Sequence, residues 1–309
     1  MHLLFKGISM RFIFFILITT WNVFALAETV PLVEPIEDEV TLLPETNAID
    51  ERLEDEAISE LVNFSIIPHK PNYLLPLSFN DKIQDYDIYQ NDGNTYRRLE
   101  VKFQISFKMP LFHNIGDLPI SGYVAYTQRS LWQAYNTASS SPFRETNYEP
   151  EAFLIWDADK NLGSGWRFKA ASIGFVHQSN GKSEPNSRSW NRIDSSFIFD
   201  RQNLVISINP WYRLEEASDD DDNPDLLDYY GHGKVIIAYK HNEHVYSFTS
   251  QNNIESGFSK GSVEAAWSFP LYGKVKGYLQ VTSGYGNSLI EYNEYTNTVG
   301  LGISISDLL

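Results

Sequence analysis

The chain has 309 residues, a formal net charge of −16 and no cysteine. The lack of cysteine excludes disulfide bonds, thiol nucleophiles and zinc–cysteine sites. The acidic balance argues against a nucleic acid as partner, because binding to the phosphate backbone depends on clustered Lys and Arg.

Residues 1–27 have the three parts of a secretory signal peptide. Basic residues precede a short apolar run from Phe12 to Thr20, and Ala25 and Ala27 form a small-residue cleavage site before Glu28. A membrane anchor is the alternative, but the apolar run is too short for one and leads into the cleavage site. We therefore expect the chain to be exported and these residues to be removed.

Residues 28–62 form a strongly acidic segment. Twelve Asp and Glu residues between Glu28 and Glu60 accompany a single basic residue, Arg52, and aromatic residues are absent there. Such a combination of high charge and low hydrophobicity is typical of a solvated, flexible chain. We expect a flexible periplasmic extension before the folded domain.

From residue 63 to residue 309 the hydrophobic pattern alternates. In LEVKFQISFKM, residues 99–109, every odd position is apolar and every even position is polar. A period of two indicates a β-strand with one apolar and one polar face. Similar runs, separated by turn-like stretches at 91–94, 114–119, 157–165 and 219–225, predict about a dozen strands.

Two all-β architectures fit this pattern. A soluble sandwich would bury the apolar faces, whereas an outer-membrane β-barrel would turn them outward to lipid. The signal peptide, an aromatic content of 14% and a final alternating strand that ends at Leu309 favour the barrel. A closed barrel also leaves no unpaired strand edge in lipid. We expect residues 63–309 to form an antiparallel transmembrane β-barrel of the outer membrane.

The stretch HQSNGKSEPNSRSWNR, residues 177–192, holds the candidate catalytic residues. On a strand, His177 and Ser179 project from the same face, and the following NGKSEPNS has the composition of a loop. A hairpin would bring Asn191 beside His177. On each of the two strands, the face that carries these side chains is otherwise apolar. In a barrel the three side chains would therefore face lipid.

These residue types can form a nucleophile, a base and an orienting group. A serine hydroxyl becomes nucleophilic when a base such as His177 accepts its proton, and the imidazole needs an acceptor on its other nitrogen. Asn191 can be that acceptor without adding a charge in lipid, although another group must then support the charge of the transition state. Chance H-x-S pairs also occur on strands, so spacing alone leaves a non-catalytic pair open.

Several long motifs resemble, in order, the outer membrane phospholipase A family of Gram-negative bacteria. They are YTQRSLWQ (126–133), SSPFRETNYEP (140–150), the 177–192 stretch, NPWY, DDNPD and SGYGNSLIEYN. The resemblance covers roughly residues 63–309 and implies a twelve-stranded antiparallel barrel. It also implies calcium-dependent hydrolysis of the sn-1 and sn-2 acyl esters of phospholipids and lysophospholipids by an enzyme that is activated when it forms a homodimer.

The same resemblance implies roles for individual residues. Ser179 would be the nucleophile, His177 the base and Asn191 the residue that orients it. The backbone N–H of Gly181 would contribute to the oxyanion hole. Gln128, a polar residue on an apolar strand face, would lie in the dimer interface; the alternative is that its amide reaches the membrane surface.

Two calcium positions are implied as well. Ser187 and the backbone carbonyl of Lys182 would bind one ion together with Ser140 from the partner subunit. Glu184 and Asp222 would bind a second ion, with a solvated extracellular loop as the alternative for the acidic run around Asp222. Lys182 and Glu184 depart from the Arg and Asp that the family has at these positions.

A different class of function also fits a barrel. The chain could be a pore or scaffold with a degenerate active site. The intact His177, Ser179 and Asn191 argue against this alternative.

Overall fold

The computed structural model describes residues 47–60, 65–83, 96–217 and 219–309. Within these ranges no helix is long and apolar enough to cross a membrane. The signal peptide expected in residues 1–27 lies outside the described residues. The elements are α1 (Ala48–Glu60), β1 (Ile67–Pro68), β2 (Asn72–Asn80), β3 (Leu99–Phe112), β4 (Ile120–Trp132), β5 (Phe143–Gly163), β6 (Trp166–Ser179), β7 (Ser189–Arg201), β8 (Leu204–Leu214), α2 (Leu226–Tyr230), β9 (Gly233–His241), β10 (His244–Asn252), β11 (Gly261–Tyr272), β12 (Val275–Gly284) and β13 (Thr296–Ser306).

Strands β2–β13 close into a twelve-stranded antiparallel barrel. Each of them pairs with its neighbours in sequence, and β13 pairs with β2 to complete the ring. The short strand β1 pairs with β3 beyond the end of β2, so it extends that strand after a break at residues 69–71. Closure leaves no unpaired strand edge, as a lipid environment demands. The predicted architecture is confirmed.

The apolar face of the sheet points outward. On β3 the side chain of Ile105 is 50% exposed, whereas Lys102 on the opposite face is 2% exposed. Exposed apolar side chains recur on other strands, as at Phe175, Phe248 and Leu301. A soluble sandwich would bury these side chains, so the exposures agree with a sheet that meets lipid.

The lumen is lined with polar side chains, and many of them are paired. Arg144 on β5 donates hydrogen bonds of 2.8 and 2.9 Å to Glu100 and one of 2.7 Å to Glu291. Lys102 donates to Gln280 at 2.8 Å. An unpaired charge buried in this interior would be strongly destabilising, so these contacts are a condition for a polar lumen. A buried, mainly aromatic cluster lies among the loops: Trp190, Trp211, Leu226, Tyr230, Leu289 and Tyr292.

Short turns join the strands at one end, and longer loops join them at the other. The turns at 202–203 and 242–243 belong to the first end, and the loops at 180–188 and 215–225 belong to the second. In outer-membrane barrels the short turns are periplasmic and the long loops extracellular. The turn predicted at 157–165 is shorter than expected, because β5 continues to Gly163.

Helix α1 lies at the short-turn end of the barrel. Its Asp50 pairs with Arg167 on β6 at 2.7 Å, and its Glu56 pairs with Lys108 on β3 at 2.8 Å. Ile49 packs in a buried cluster with side chains from β8 and β9. The helix is therefore held by ion pairs and apolar contacts to several strands.

This helix differs from the flexible segment expected for residues 28–62. Several acidic side chains of this helix, such as Asp50 and Glu56, find basic partners at the barrel opening, so their charge anchors the chain to the barrel. Composition does not reveal this, because the partners lie far away in sequence. Residues 28–46 and 61–62 lie outside the described residues, and the domain boundaries at residues 27 and 62 stay predictions.

The anchoring of α1 should depend on pH through Glu56. Burial raises the pKa of Glu56, but the positive charges of Arg52 and Lys108 outweigh this effect and bring the pKa below its ordinary value of 4.5. A depressed folded pKa means that the pairing stabilises fully above about pH 4.5 and is lost as the pH falls through the folded pKa. Loss of the pair should cost about 1 kcal/mol.

Glu56→Gln should therefore speed hydrogen exchange of the α1 amides about fivefold near neutral pH, as about 1 kcal/mol implies. The exchange rates of wild type and variant should converge in acid, where Glu56 of the wild type is protonated in both the folded and the unfolded state. Glu54→Gln is the control, because Glu54 is an exposed α1 carboxylate without a partner among the described residues. Equal exchange of Glu56→Gln and wild type at pH 7 would contradict the anchoring.

Candidate active site

Strands β6 and β7 bring the candidate catalytic residues together. In their antiparallel register His177 lies opposite Asn191, and Ser179 lies opposite Ser189. The Nδ1 atom of His177 is 2.9 Å from Oδ1 of Asn191. Since an amide oxygen can only accept, this contact places the imidazole proton on Nδ1 and leaves Nε2 as the basic atom.

The three side chains lie on the outer wall of the barrel, close to its loop end. Ile173 and Phe175, which share the face of His177 on β6, are 55% and 45% exposed. Strand β6 ends at Ser179, and the loop 180–188 follows directly. The site therefore opens toward lipid and not toward the lumen, as the face pattern predicts.

Ser179 is positioned by its neighbours on two strands. It lies opposite Tyr148 on β5 and two residues from His177 on β6. Its hydroxyl has no hydrogen-bond partner within the described part of the chain. The contact between nucleophile and base is often long before substrate binds and shortens in the reacting complex.

A carboxylate that the sequence did not indicate, that of Glu216, also contacts Asn191. The Nδ2 atom of Asn191 donates a hydrogen bond of 2.8 Å to Oε1 of Glu216. Asn191 lies opposite Leu214, the last residue of β8, and Glu216 is the next position on that face. Extending the period of two beyond the strand would have found it, but only with the β7–β8 register known.

The loop 180–188 is organised around the side chain of Asn180. Its Oδ1 accepts from the N–H of Arg188 at 3.0 Å and from that of Lys182 at 3.3 Å, and its Nδ2 donates to the carbonyl of Asn186 at 2.8 Å. Between these contacts Gly181 has a φ of +64°, a conformation that favours glycine. A Cβ there would lie 3.0 Å from the ring of Tyr148. The N–H of Gly181 has no partner among the described residues.

Three of the predicted calcium-binding side chains meet in the extracellular loops. Ser187 donates a hydrogen bond to Asp222. A hydrogen bond with Asp222, together with its negative charge, raises the pKa of Glu184. The groups predicted for two separate ions therefore form one contiguous cluster of hydroxyl and carboxylate oxygens.

Lys182 points its charge away from this cluster. Its Nζ pairs with the buried carboxylate of Glu145 at 2.7 Å and donates to the carbonyl of Arg144 at 2.8 Å. The lysine that stands where the resemblance implies Arg thus pairs with Glu145. The backbone carbonyl of Lys182 remains the candidate ligand. Ser140 lies in the separate loop after β4, with a left-handed φ of 58°.

The available donors fit a hard cation bound weakly. Hydroxyl, carboxylate and carbonyl oxygens suit Ca²⁺ better than a softer transition metal. Among the described residues there is no group of three or more His, Cys, Asp or Glu side chains that could hold a metal alone.

Gln128 lies on the outer face of β4, opposite Tyr148 of β5. Its Oε1 accepts from the hydroxyl of Tyr126 at 3.2 Å, and its Nε2 donates to Ser130 at 3.1 Å. The amide thus has partners within its own strand at the lipid-facing surface. Its role in a dimer interface stays a prediction.

The fold defines an outer-membrane β-barrel, and its candidate catalytic side chains face lipid. Residues 49–305 match the family model described as Phospholipase A1. The chain therefore belongs to the phospholipase A1 family and is a phospholipase of the outer membrane. The match begins at residue 49 and so includes α1, which the sequence resemblance did not cover.

Relatives of this family are similar over most of the chain. Phospholipase A1 of Proteus vulgaris is 40% identical over 79% of this chain and 83% of its own length. That of Escherichia coli K12 is 39% identical over 79% of this chain and 83% of its own length.

Solved structures give the same result. Outer membrane phospholipase A from Escherichia coli has a TM-score of 0.72 at 37% identity, over 80% of this chain and all of its own. An active-site Asn-to-Ala mutant of the same enzyme has a TM-score of 0.74 at 36% identity, over 82% of this chain and 97% of its own. The Salmonella typhi outer membrane phospholipase, a dimer with bound calcium, has a TM-score of 0.72 at 36% identity, over 80% and 94%.

The conformation of Gly181 can be tested by substitution. Gly181→Ala should lower phospholipid hydrolysis at least about tenfold, because a positive φ and the contact with Tyr148 would displace the loop. Gly116→Ala is a matched control, since Gly116 has a φ of +61° and open space around its Cβ position. Equal activity of the two variants would contradict a close fit at Gly181.

Proposed function

We propose that the chain hydrolyses sn-1 and sn-2 acyl esters of phospholipids and lysophospholipids with Ser179 as nucleophile. The observation that carries this proposal is the 2.9 Å contact between His177 and Asn191 on the lipid-facing wall. An ester bond of a membrane lipid can reach this wall without leaving the bilayer. The N-to-A active-site mutant of the Escherichia coli enzyme supports a role for an asparagine in such a site.

The chemistry follows from the positions of the groups. Oγ of Ser179 attacks the ester carbonyl while Nε2 of His177 accepts its proton. The N–H of Gly181 can donate to the resulting oxyanion. The lysolipid alcohol leaves with the proton from Nε2, and an acyl-enzyme remains. A water molecule, deprotonated by His177, then releases the fatty acid and restores Ser179.

Ca²⁺ is the proposed cofactor. Ser187 and the carbonyl of Lys182 would hold it from one subunit, and Ser140 would complete the site from the other. When bound, the ion supplies positive charge that offsets the oxyanion. The calcium in the dimeric Salmonella typhi relative supports this assignment.

A second ion between Glu184 and Asp222 is also proposed. A hydrogen bond with Asp222, and repulsion between the two carboxylates when both are ionised, raise the pKa of Glu184. A divalent cation would relieve the repulsion. The substitution of Glu for Asp preserves the carboxylate at this position.

Activation by dimerisation follows from an incomplete site. In the described part of a single chain, Ser187 and the carbonyl of Lys182 are the only ligands proposed for this ion, so a monomer would stay dormant in the membrane. Gln128 lies on the same outer surface as Tyr148 and Ser179, where a second subunit would dock. The amide of Gln128 would then replace a hydrogen bond within its own strand by one to the other subunit.

The nucleophile can be tested with a neighbouring serine as control. Ser179→Ala should reduce hydrolysis of a phospholipid in detergent micelles by a factor of about 10³ or more. Ser189→Ala removes a hydroxyl from the cross-strand partner of Ser179 and should leave most activity intact. Full activity of Ser179→Ala, or no effect of calcium chelation on wild type, would refute the mechanism or the cofactor respectively.

Sharing of the calcium site can be tested by complementation. Ser140→Ala and Ser179→Ala chains should each have low activity as homodimers. A mixed dimer contains one site with intact Ser179 on one chain and intact Ser140 on the other. Refolding the two variants together should therefore give more activity than the mean of the two alone. Activity equal to that mean would show that Ser140 acts within its own subunit or not at all.

A further inference from the structure

Asn191 is held at both ends of its amide. Oδ1 contacts His177 at 2.9 Å, and Nδ2 donates to Glu216 at 2.8 Å. Glu216 is partly buried and lies two residues beyond the end of β8, on the face that carries Leu214. It thus stands at the loop edge of the barrel, where a charge is far less costly than in the lipid core.

We infer that Glu216 is a positioning residue of the active site, which acts on His177 through Asn191. This inference rests on the proposed roles of Ser179, His177 and Asn191. Asparagine presents a donor at one end of its amide and an acceptor at the other, so a flip would turn Nδ2 toward His177. An ionised carboxylate can only accept hydrogen bonds, so Glu216 holds the amide with Nδ2 toward itself and Oδ1 toward the imidazole.

The charge of Glu216 has a second consequence. A hydrogen bond to a carboxylate polarises the amide and makes its oxygen a stronger acceptor. The imidazolium that forms on His177 during attack is then stabilised more than by an isolated asparagine. Glu216 supplies part of the support that an aspartate would give, without a carboxylate beside the imidazole in lipid.

The other titratable groups near His177 do not share this contact. They lie on β5, on β8 with its following loop, and in the loop after β6: Tyr148, Tyr212, Glu215, Lys182, Glu184 and Arg188. Lys182 is paired with Glu145, and Glu184 interacts with Asp222. Arg188 donates to the carbonyls of its own loop. Glu215 is exposed, without a partner among the described residues.

The first test removes the charge and keeps the acceptor. Glu216→Gln should lower kcat about tenfold with little change in KM, an effect of about 1.4 kcal/mol on the barrier. Removing a negative charge disfavours the imidazolium, so the acid-side midpoint of the kcat/KM profile should move to lower pH. Glu216→Asp should retain more activity than Glu216→Gln. Glu215→Gln is the matched control and should behave as wild type.

The second test uses a reversal of sign. In Asn191→Asp, two carboxylates would meet at the position of the 2.8 Å contact and repel each other. Adding Glu216→Gln should then raise activity several-fold, because the new amide can donate a hydrogen bond to the introduced carboxylate. The same Glu216→Gln substitution lowers activity in the wild-type background, and a residue that merely stabilises the loop would not reverse its effect.

These outcomes separate the inference from the proposed function. If Ser179→Ala stays active, the proposed mechanism fails, whatever Glu216 does. If Ser179→Ala is inactive but Glu216→Gln equals Glu215→Gln in kcat and pH profile, only the role of Glu216 is overturned. The NMR signal of the His177 Nδ1–H in micelles gives a readout that is independent of turnover. Its chemical shift should differ between Glu216→Gln and wild type, because the acceptor strength of the Asn191 oxygen changes, and an unchanged chemical shift would overturn the inference.

Discussion

The structure depends on one constraint, which is that lipid surrounds the sheet. Lipid offers no hydrogen bonds, so the backbone must close on itself in a ring of strands. It also inverts the usual distribution of side chains, with Ile105 outside and Lys102 inside. Charged groups in the lumen must then find one another, as Arg144 finds Glu100 and Glu291.

The same constraint determines how an active site can be built here. On a barrel wall, the side chains that can meet are two apart on one strand or opposite each other on neighbouring strands. His177 and Ser179 use the first relation, and His177 and Asn191 use the second. A neutral asparagine avoids a charge in lipid, and Glu216 contacts it from the loop edge. A phospholipid substrate needs no entry path, because the lipid of the membrane already surrounds this outer face of the barrel.

Local sequence patterns predicted some features of the fold and the candidate site but not others. The alternation of residues 99–109 predicted a strand and its faces, because a period of two depends only on local backbone geometry. The motif at 177–192 placed His177 beside Asn191, because one hairpin connects them. By contrast, α1 was taken for a flexible segment, since its partners Arg167 and Lys108 lie far along the chain. Glu216 was missed because it lies beyond the end of β8, and its position on the face of Asn191 follows only from the β7–β8 register.

The sequence by itself determined the strand pattern, the closed barrel that this pattern implies and the placing of three candidate catalytic residues on a lipid-facing hairpin. These features rest on contacts between residues that are close in sequence or on a repeating period. Only the tertiary structure decided that the acidic helix docks on the barrel, that Lys182 pairs with Glu145, and that Glu216 reaches Asn191. Such contacts depend on the register of strands and on loop geometry, where no local pattern selects one partner among many of like charge.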